Sequence, residues 1–318
     1  MSYVVGIDGG GTKTSFLLFS SDDGSIRQIE TESICPRDHG INKFKAVIEE
    51  TLNQLTNRRL NAVAASCVGI PCHGEDAALD VETSEIINKL FPNSKNICVN
   101  DCVVGFAGAL GLKPGINIVS GTGAIAYGEN SRGKSARSNG WSGEFSDEGS
   151  CCWLGKKCIE LFCKQSDGRL PKMDLYYAVK SELALSRDFD IINLYDERFK
   201  GNRQKIAKLQ KLLCSAACNG DESAKEAYRK AAYELAISVE AVRNMAEIEG
   251  PAHVSYSGGL FKAGELILGP LEEALSSLYS GYMLQKPEFS PAEGALLKAA
   301  RALDGDIEEK VKNTIRDG

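Results

Sequence analysis

One pattern occurs twice in this chain and constrains what it can fold into. Tyr3 to Ile7 is a short apolar run, Gly9-Gly10-Gly11 follows, and Ser15 to Phe19 is a second apolar run. The same succession returns at Ile116 to Ser120, Gly121-Thr122-Gly123 and Ala124 to Gly128, about 110 residues downstream. Glycine permits the tight reversals that other residues resist, so each copy reads as strand, turn, strand, and the two together as an internal duplication.

The segments between the hairpins alternate. Asn42 to Leu55 is helix-like, Ala62 to Ile70 a strand, Ser84 to Leu90 a helix, Asn96 to Asn100 a strand, and Cys102 to Leu110 a helix of small residues. That alternation predicts an α/β protein with layered sheets and helices. Beyond Trp153 the chain is mostly helical, at Trp153 to Lys164, Asp174 to Glu182, Ile206 to Asn219 and Ser223 to Glu247. A last strand, His253 to Ser257, runs into Gly258-Gly259 and another helix. No low-complexity linker marks a boundary, so the domain join is placed from the repeat, near residues 111 to 115.

At 318 residues and 43% hydrophobic, the chain has material for two domains with a sizeable core. Its N-terminus lacks a charged region followed by an apolar run, and no stretch approaches the roughly 18 apolar residues of a membrane span, which predicts a cytoplasmic protein with no membrane partner. A net charge of −6 argues against nucleic acid, whose phosphates call for clustered Lys and Arg, and points to a small-molecule partner. The eleven cysteines include no CxxC pair, so a disulfide framework is not expected. Cys67, Cys98, Cys158 and Cys214 sit in apolar runs and read as core thiols. Cys151-Cys152, beside a glycine-rich turn, leaves metal or cluster ligation as the less favoured option.

The first hairpin turn carries chemistry. In Asp8-Gly9-Gly10-Gly11-Thr12-Lys13-Thr14, successive backbone N–H groups form a concavity suited to phosphate oxygens, and Thr12 and Thr14 add hydroxyls. Asp8, at the strand end, is placed to hold Mg²⁺ through water. A Walker A loop and a dinucleotide fingerprint both open a helix, whereas a strand follows Gly11, so neither applies. The bland alternative is a plain hairpin. Its repetition at Gly121 to Gly123 favours the functional reading, because two hairpins can grip one polyphosphate.

Asp101 ends a strand and opens a helix, which in an α/β domain is the usual ligand crevice. It reads either as a helix N-cap or as the general base of a phosphoryl transferase, and the second is preferred. The glycine-punctuated loop Asn139 to Ser150 delivers Asp147 and Glu148 to the start of a helix. Helix-dipole stabilisation explains them in part, but carboxylates also accept hydrogen bonds from sugar hydroxyls. Gly258-Gly259 allows close backbone approach to a flat ring such as adenine.

Taken together, DGGGTKT at Asp8 to Thr14, NDC at Asn100 to Cys102, SGTG at Ser120 to Gly123, GW followed by DEGS within Gly140 to Ser150, SGGLF at Ser257 to Phe261 and PAEGA at Pro291 to Ala295 resemble the N-acetylglucosamine kinase branch of the BadF/BadG/BcrA/BcrD ATPase family, in the actin, hexokinase and Hsp70 superfamily. The resemblance runs over most of the chain. It implies two ribonuclease-H-like domains around a central cleft, the first formed by 1–112 plus 291–318 and the second by 113–290 with a helical insertion. It also implies a homodimer, ATP with Mg²⁺ as cofactors, and transfer of the γ-phosphoryl group to a sugar hydroxyl, expected at C6.

Position by position, the resemblance makes Asp101 the base. Thr122, Gly123, Gly140 and Asp147, with Glu148 beside them, become sugar contacts. Gly9, Gly10, Gly11, Thr12, Lys13 and Thr14 of the first turn, with Gly121, Thr122, Gly258 and Gly259, become nucleotide contacts. Two departures bear on the sugar. Ala124-Ile125 stands where relatives often carry Ser-Asn, and where they often show an Asn after the second strand this chain has Pro36-Arg37-Asp38-His39-Gly40-Ile41-Asn42, which leaves open whether Asn42 is its counterpart. N-acetylglucosamine, glucosamine and N-acetylmuramic acid all remain open, with Arg37 or His39 able to meet a lactyl carboxylate if they are not simply solvated. The competing reading is an ATPase activator of a dehydratase or reductase carrying an iron–sulfur cluster, which the cysteine count motivates.

Overall fold

The computed structural model describes residues 2–317. The chain forms two compact units, Met1–Lys113 with Pro287–Gly318, and Pro114–Lys286.

The first unit begins with β1 (Tyr3–Gly9), β2 (Lys13–Ser20) and β3 (Ile26–Glu32), followed by α1 (Pro36–His39), α2 (Ile41–Leu55), β4 (Val63–Ile70), α3 (Ala77–Leu90), β5 (Lys95–Asn100) and α4 (Asp101–Ala109). Its five-stranded sheet has the order β3-β2-β1-β4-β5. β1 pairs antiparallel with β2, Tyr3 opposite Ser20 and Gly9 opposite Thr14, and parallel with β4, Asp8 opposite Gly69. β4 pairs parallel with β5, Ile70 opposite Asn100. The ends of β1, β4 and β5 therefore share one edge of the sheet, where Asp8 sits on β1 and Asp101 follows β5.

The second unit contains β6 (Gly115–Ser120), β7 (Ala124–Glu129), β8 (Ser135–Asn139), α5 (Cys151–Ser166), α6 (Asp174–Glu182), α7 (Asp190–Leu194), α8 (Arg203–Cys218), α9 (Glu222–Met245), β9 (Ala252–Ser257), α10 (Glu265–Leu278) and β10 (Tyr282–Gln285). The sheet order β10-β9-β6-β7-β8, with β6-β7-β8 antiparallel and β9 and β10 parallel, reproduces the first sheet strand for strand. The duplication read from the hairpins extends to whole sheets, and both have ribonuclease-H-like topology. Ile116, Ile118, Ala124, Ala126 and Val254 bury one sheet face against Leu154, Cys158, Leu235 and Val239.

The chain returns to the first unit as α11 (Pro291–Leu303) and α12 (Gly305–Asp317). Alternation along β1 and β2 sends Val5, Ile7, Phe16 and Leu18 into a core with Phe44, Ile48 and Leu52 of α2. Val4, Leu17 and Phe19 go to the opposite face, with Val104 of α4 and Ala295 and Leu296 of α11. α11 lies hard against its neighbours: a Cβ on Gly6 would fall 2.3 Å from the Leu296 nitrogen, and one on Gly294 2.2 Å from the Gly108 nitrogen. Ser290 and Glu293 close a reciprocal capping box that starts α11.

Three differences from the sequence reading have local causes. The helix expected at Ser84 begins at Ala77, because Asp76 caps it by accepting from Ala78 N–H at 3.0 Å and Leu79 N–H at 3.2 Å. The glycine turns were expected to need glycine's backbone freedom, yet Gly9, Gly10, Gly11, Gly121 and Gly123 are all absent from the positive-φ residues. Of the four cysteines read as core, Cys67 and Cys158 are fully buried, whereas Cys98 and Cys214 are only half-buried at the core margins.

Candidate active site

In the first unit the site is built at the shared sheet edge. Gly9 is required by packing: a Cβ there would meet the Gly69 carbonyl at 2.7 Å, Pro71 at 2.9 Å and Ile34 at 3.0 Å. Gly10 closes the turn by donating its N–H to the Lys13 carbonyl at 2.9 Å, and its own carbonyl accepts from the Ser33 hydroxyl at 2.7 Å. Gly11 has open space where a Cβ would sit, so the fold itself does not demand glycine there. Thr12 is exposed. Thr14 was expected to offer its hydroxyl to phosphate, but it is fully buried and accepts from Ile34 N–H at 3.2 Å, which makes it a packing residue. The Lys13 ammonium is paired with Glu30 at 2.6 Å.

Asn100, not Asp101, caps α4: its side chain accepts from Cys102 N–H at 3.0 Å, and its amide donates to the His73 carbonyl at 2.8 Å. Asp101 occupies the first helical position, half-buried, and accepts from Cys102 N–H at 3.0 Å. Burial, and then the charge of Asp8, push its carboxyl up to about 7, with Glu75 adding to the rise and the Cys102 N–H opposing it. Burial pushes Asp8 up to about 6 against the opposing charge of Lys13. Two under-compensated carboxylates at one strand edge form an oxygen donor set that fits a hard dication retaining several waters.

In the second unit the predicted residues converge. Gly121 N–H donates to the Gly123 carbonyl at 2.9 Å, and the Gly121 carbonyl accepts from Cys151 N–H at 2.8 Å. Gly258, at φ 107°, packs so closely on β6 that a Cβ would lie 2.2 Å from the Ser120 carbonyl. A Cβ on Gly121 would lie 4.0 Å from the Gly259 nitrogen, and one on Gly259 would meet nothing within 4 Å, so the two glycine turns approach each other and Gly259 borders open space. A Cβ on Gly123 would meet Asp147 at 2.9 Å, which puts the second turn against the acidic loop.

Asn139 organises that loop, a role sequence reasoning missed. At φ 66° its side-chain oxygen accepts from Gly140 N–H at 2.8 Å, Asp147 N–H at 2.9 Å and the Ser146 hydroxyl at 2.9 Å, while its amide donates to the Glu148 carbonyl at 3.0 Å. Gly140 follows at φ 75°, a true left-handed position. Asp147 is buried and forms an ion pair with Arg203, the first residue of α8, which was also missed. Burial raises the Asp147 carboxyl above the ordinary range, Arg203 opposing and Glu148 reinforcing the shift. Half-buried Glu148 accepts from the Ser146 hydroxyl at 3.3 Å.

Arg37 is paired with Glu75 at 2.9 Å. Cys151 and Cys152 lie buried in the core of the second unit, where burial pushes the Cys151 thiol up to about 11. No helix among the described residues is long and apolar enough to cross a membrane.

A protein of Clostridium acetobutylicum named N-acetylmuramic acid/N-acetylglucosamine kinase is 30% identical over 309 residues, covering 96% of this chain and 100% of the relative. A Dictyostelium discoideum protein named N-acetyl-D-glucosamine kinase is 27% identical, covering 93% of this chain and 97% of its own. Among solved structures, a candidate N-acetylglucosamine kinase from Chromobacterium violaceum superposes with a TM-score of 0.72 at 25% identity, covering 93% of this chain and 98% of that one. A glucokinase from Streptomyces griseus, solved with glucose and AMPPNP, shares the fold at a TM-score of 0.52 and 14% identity over 100% of both chains. The BadF/BadG/BcrA/BcrD ATPase family model matches residues 5–299, and the chain belongs to that family.

Proposed function

We propose that this protein is an ATP-dependent kinase that transfers the γ-phosphoryl group to the C6 hydroxyl of an amino sugar, with N-acetylglucosamine the leading acceptor and glucosamine and N-acetylmuramic acid the alternatives. The names and full-length coverage of the relatives support an amino-sugar kinase. The observation that carries the mechanism is Asp101: a carboxyl pushed up to about 7 at a sheet edge is poised to accept a proton near neutral pH.

In this mechanism Asp101 accepts the proton of the acceptor hydroxyl as it attacks phosphorus, and the catalytic contribution is mainly positioning. Asp8 would hold Mg²⁺ through water, and the bound ion would offset the charge of the phosphates. Thr12 and the backbone of Gly9, Gly10 and Gly11 serve the nucleotide. So do Gly121, Thr122, Gly258 and Gly259, where Gly259 borders open space. Thr122, Gly123, Gly140, Asp147 and Glu148 serve the sugar, Asp147 as an acceptor for hydroxyls that must stay paired once desolvated.

A coupled ADP-release assay across amino sugars, run with wild type and Asp101→Asn, tests the proposal. The best sugar should lose at least about a hundredfold in turnover with the variant, and ³¹P-coupled carbon NMR should place the phosphate on C6. Normal turnover by Asp101→Asn would sink the assigned mechanism.

A further inference from the structure

Two cysteines outside this machinery lie on chain segments that pack side by side. Cys35 stands at the N-cap position of α1, without a side-chain capping bond, and is buried; Cys72 lies in the turn after β4, at φ 65° and partly accessible. Two independent ties hold the two segments together. Ile34 and Pro71, the residues just before each cysteine, both touch the position where a Gly9 Cβ would sit, at 3.0 and 2.9 Å. Arg37 and Glu75, just after them, form an ion pair at 2.9 Å. Between these ties Cys72 acts on Cys35 and holds its thiol below the ordinary range.

We propose that Cys35 and Cys72 form a reversible modification site, at which a peroxide oxidises the two thiols to a disulfide that fastens the start of α1 to the β4–α3 turn.

The surroundings suit the chemistry. The pair can share one proton, because the thiol that keeps it donates to the thiolate that has lost it, and the Cys35 thiol is held below its ordinary range for that reason. The negative charge of Cys72, and to a smaller extent that of Cys35, raises the Arg37 guanidinium against the effect of burial. The charged sulfur attacks the peroxide, the O–O bond breaks, a sulfenic acid forms and the departing oxygen leaves as water. The second sulfur then displaces the sulfenic hydroxyl as another water. Two thiols and one hydrogen peroxide become one disulfide and two waters. At Cys35 the effect of Cys72 outweighs that of burial, whereas burial pushes the Cys67 and Cys158 thiols up to about 12.

Non-reducing peptide mapping of the full chain tests this without reference to kinase activity. The protein is treated with hydrogen peroxide, alkylated with iodoacetamide, digested with trypsin and analysed by mass spectrometry. The expected product joins peptide 28–37 to peptide 60–89, about 2 Da lighter than the sum of its reduced parts. Fragmentation should assign the bond to Cys72 rather than Cys67, and dithiothreitol should abolish the product. Cys35→Ser and Cys72→Ser should each eliminate it, with circular dichroism confirming that the variants fold; if they do not, the wild-type map decides alone. Recovery of both cysteines as alkylated thiols or sulfinic acids, with no linked peptide, overturns the proposal.

Discussion

The charge of Asp8, on β1, helps keep a proton on Asp101, at the first position of α4, two strands away along the same sheet edge. Burial is the larger cause, but the like charge adds to it, and the backbone N–H groups of Cys102 and of Asp101 itself do not offset the two. The fold thus holds two carboxylates in a place that opposes their ionisation. Such an arrangement costs stability and is usual where a group must exchange a proton.

Asp101→Asn should therefore both inactivate the enzyme and stabilise it. The native carboxyl, at about 7, binds its proton more tightly than the unfolded one, near 3.9, so its ionisation favours unfolding. That contribution is most favourable below about pH 4 and is lost as pH rises through about 7. Thermal melts at pH 8 should show Asp101→Asn more stable than wild type by on the order of 2 kcal/mol, with the difference shrinking toward pH 5. An unchanged or lower melting temperature at pH 8 would mean that the carboxylate is well compensated.

The activity should have an acid limb set by the same pair. kcat/KM reports the free enzyme and should fall as pH drops through the range in which Asp101 takes up its proton. Because Asp8 and Asp101 interact, the limb belongs to the pair rather than to one residue. Asp8→Asn removes the like charge, so the limb of whatever activity remains should move to lower pH. A limb that stays in place would assign the titration elsewhere.

The hairpins, the duplication and the sheet-edge acids were legible because apolar strands, glycine turns and strand-end carboxylates are all local in sequence. The strands that escaped notice are edge strands: Ile26–Glu32 and Ser135–Asn139 carry no apolar run, Tyr282–Gln285 is only four residues long, and none of the three has a fully buried residue. Arg203 escaped for a different reason. It lies 56 residues from Asp147 and is delivered by the start of a helix, so no local pattern links the two. Asn139 carried a usable signal, an Asn before a Gly, since both occupy left-handed positions.

The glycines of the first turn should separate by role. Gly9→Ala forces a methyl against the Gly69 carbonyl at 2.7 Å and Pro71 at 2.9 Å, and should destabilise the fold by about 1–3 kcal/mol. Gly11→Ala meets open space without a left-handed backbone, and should leave stability within about 0.5 kcal/mol while raising KM for ATP. Gly259→Ala should behave like Gly11→Ala. Denaturant melts and ATP titrations on the three variants check the split, and a Gly11→Ala enzyme with wild-type KM for ATP would remove that glycine from the nucleotide site.

Arg203 should act on the sugar through Asp147. Its guanidinium fits between two glycines, for a Cβ on Gly143 would lie 2.5 Å from its Nε and one on Gly123 3.0 Å from a terminal nitrogen. It is the larger of the two charges, ahead of Lys156, that oppose the burial-driven rise of the Asp147 carboxyl. Arg203→Met keeps much of the side-chain volume but removes that charge, so Asp147 should hold its proton to higher pH and become a poorer acceptor for sugar hydroxyls. KM for the sugar should rise by about tenfold or more, with a smaller change in KM for ATP, and the sugar KM should improve as pH is raised toward 9. Arg203→Lys restores the charge without the planar fork and should recover part of the loss. If instead Arg203→Met raises both KM values equally, with no pH dependence, the residue only braces the loop.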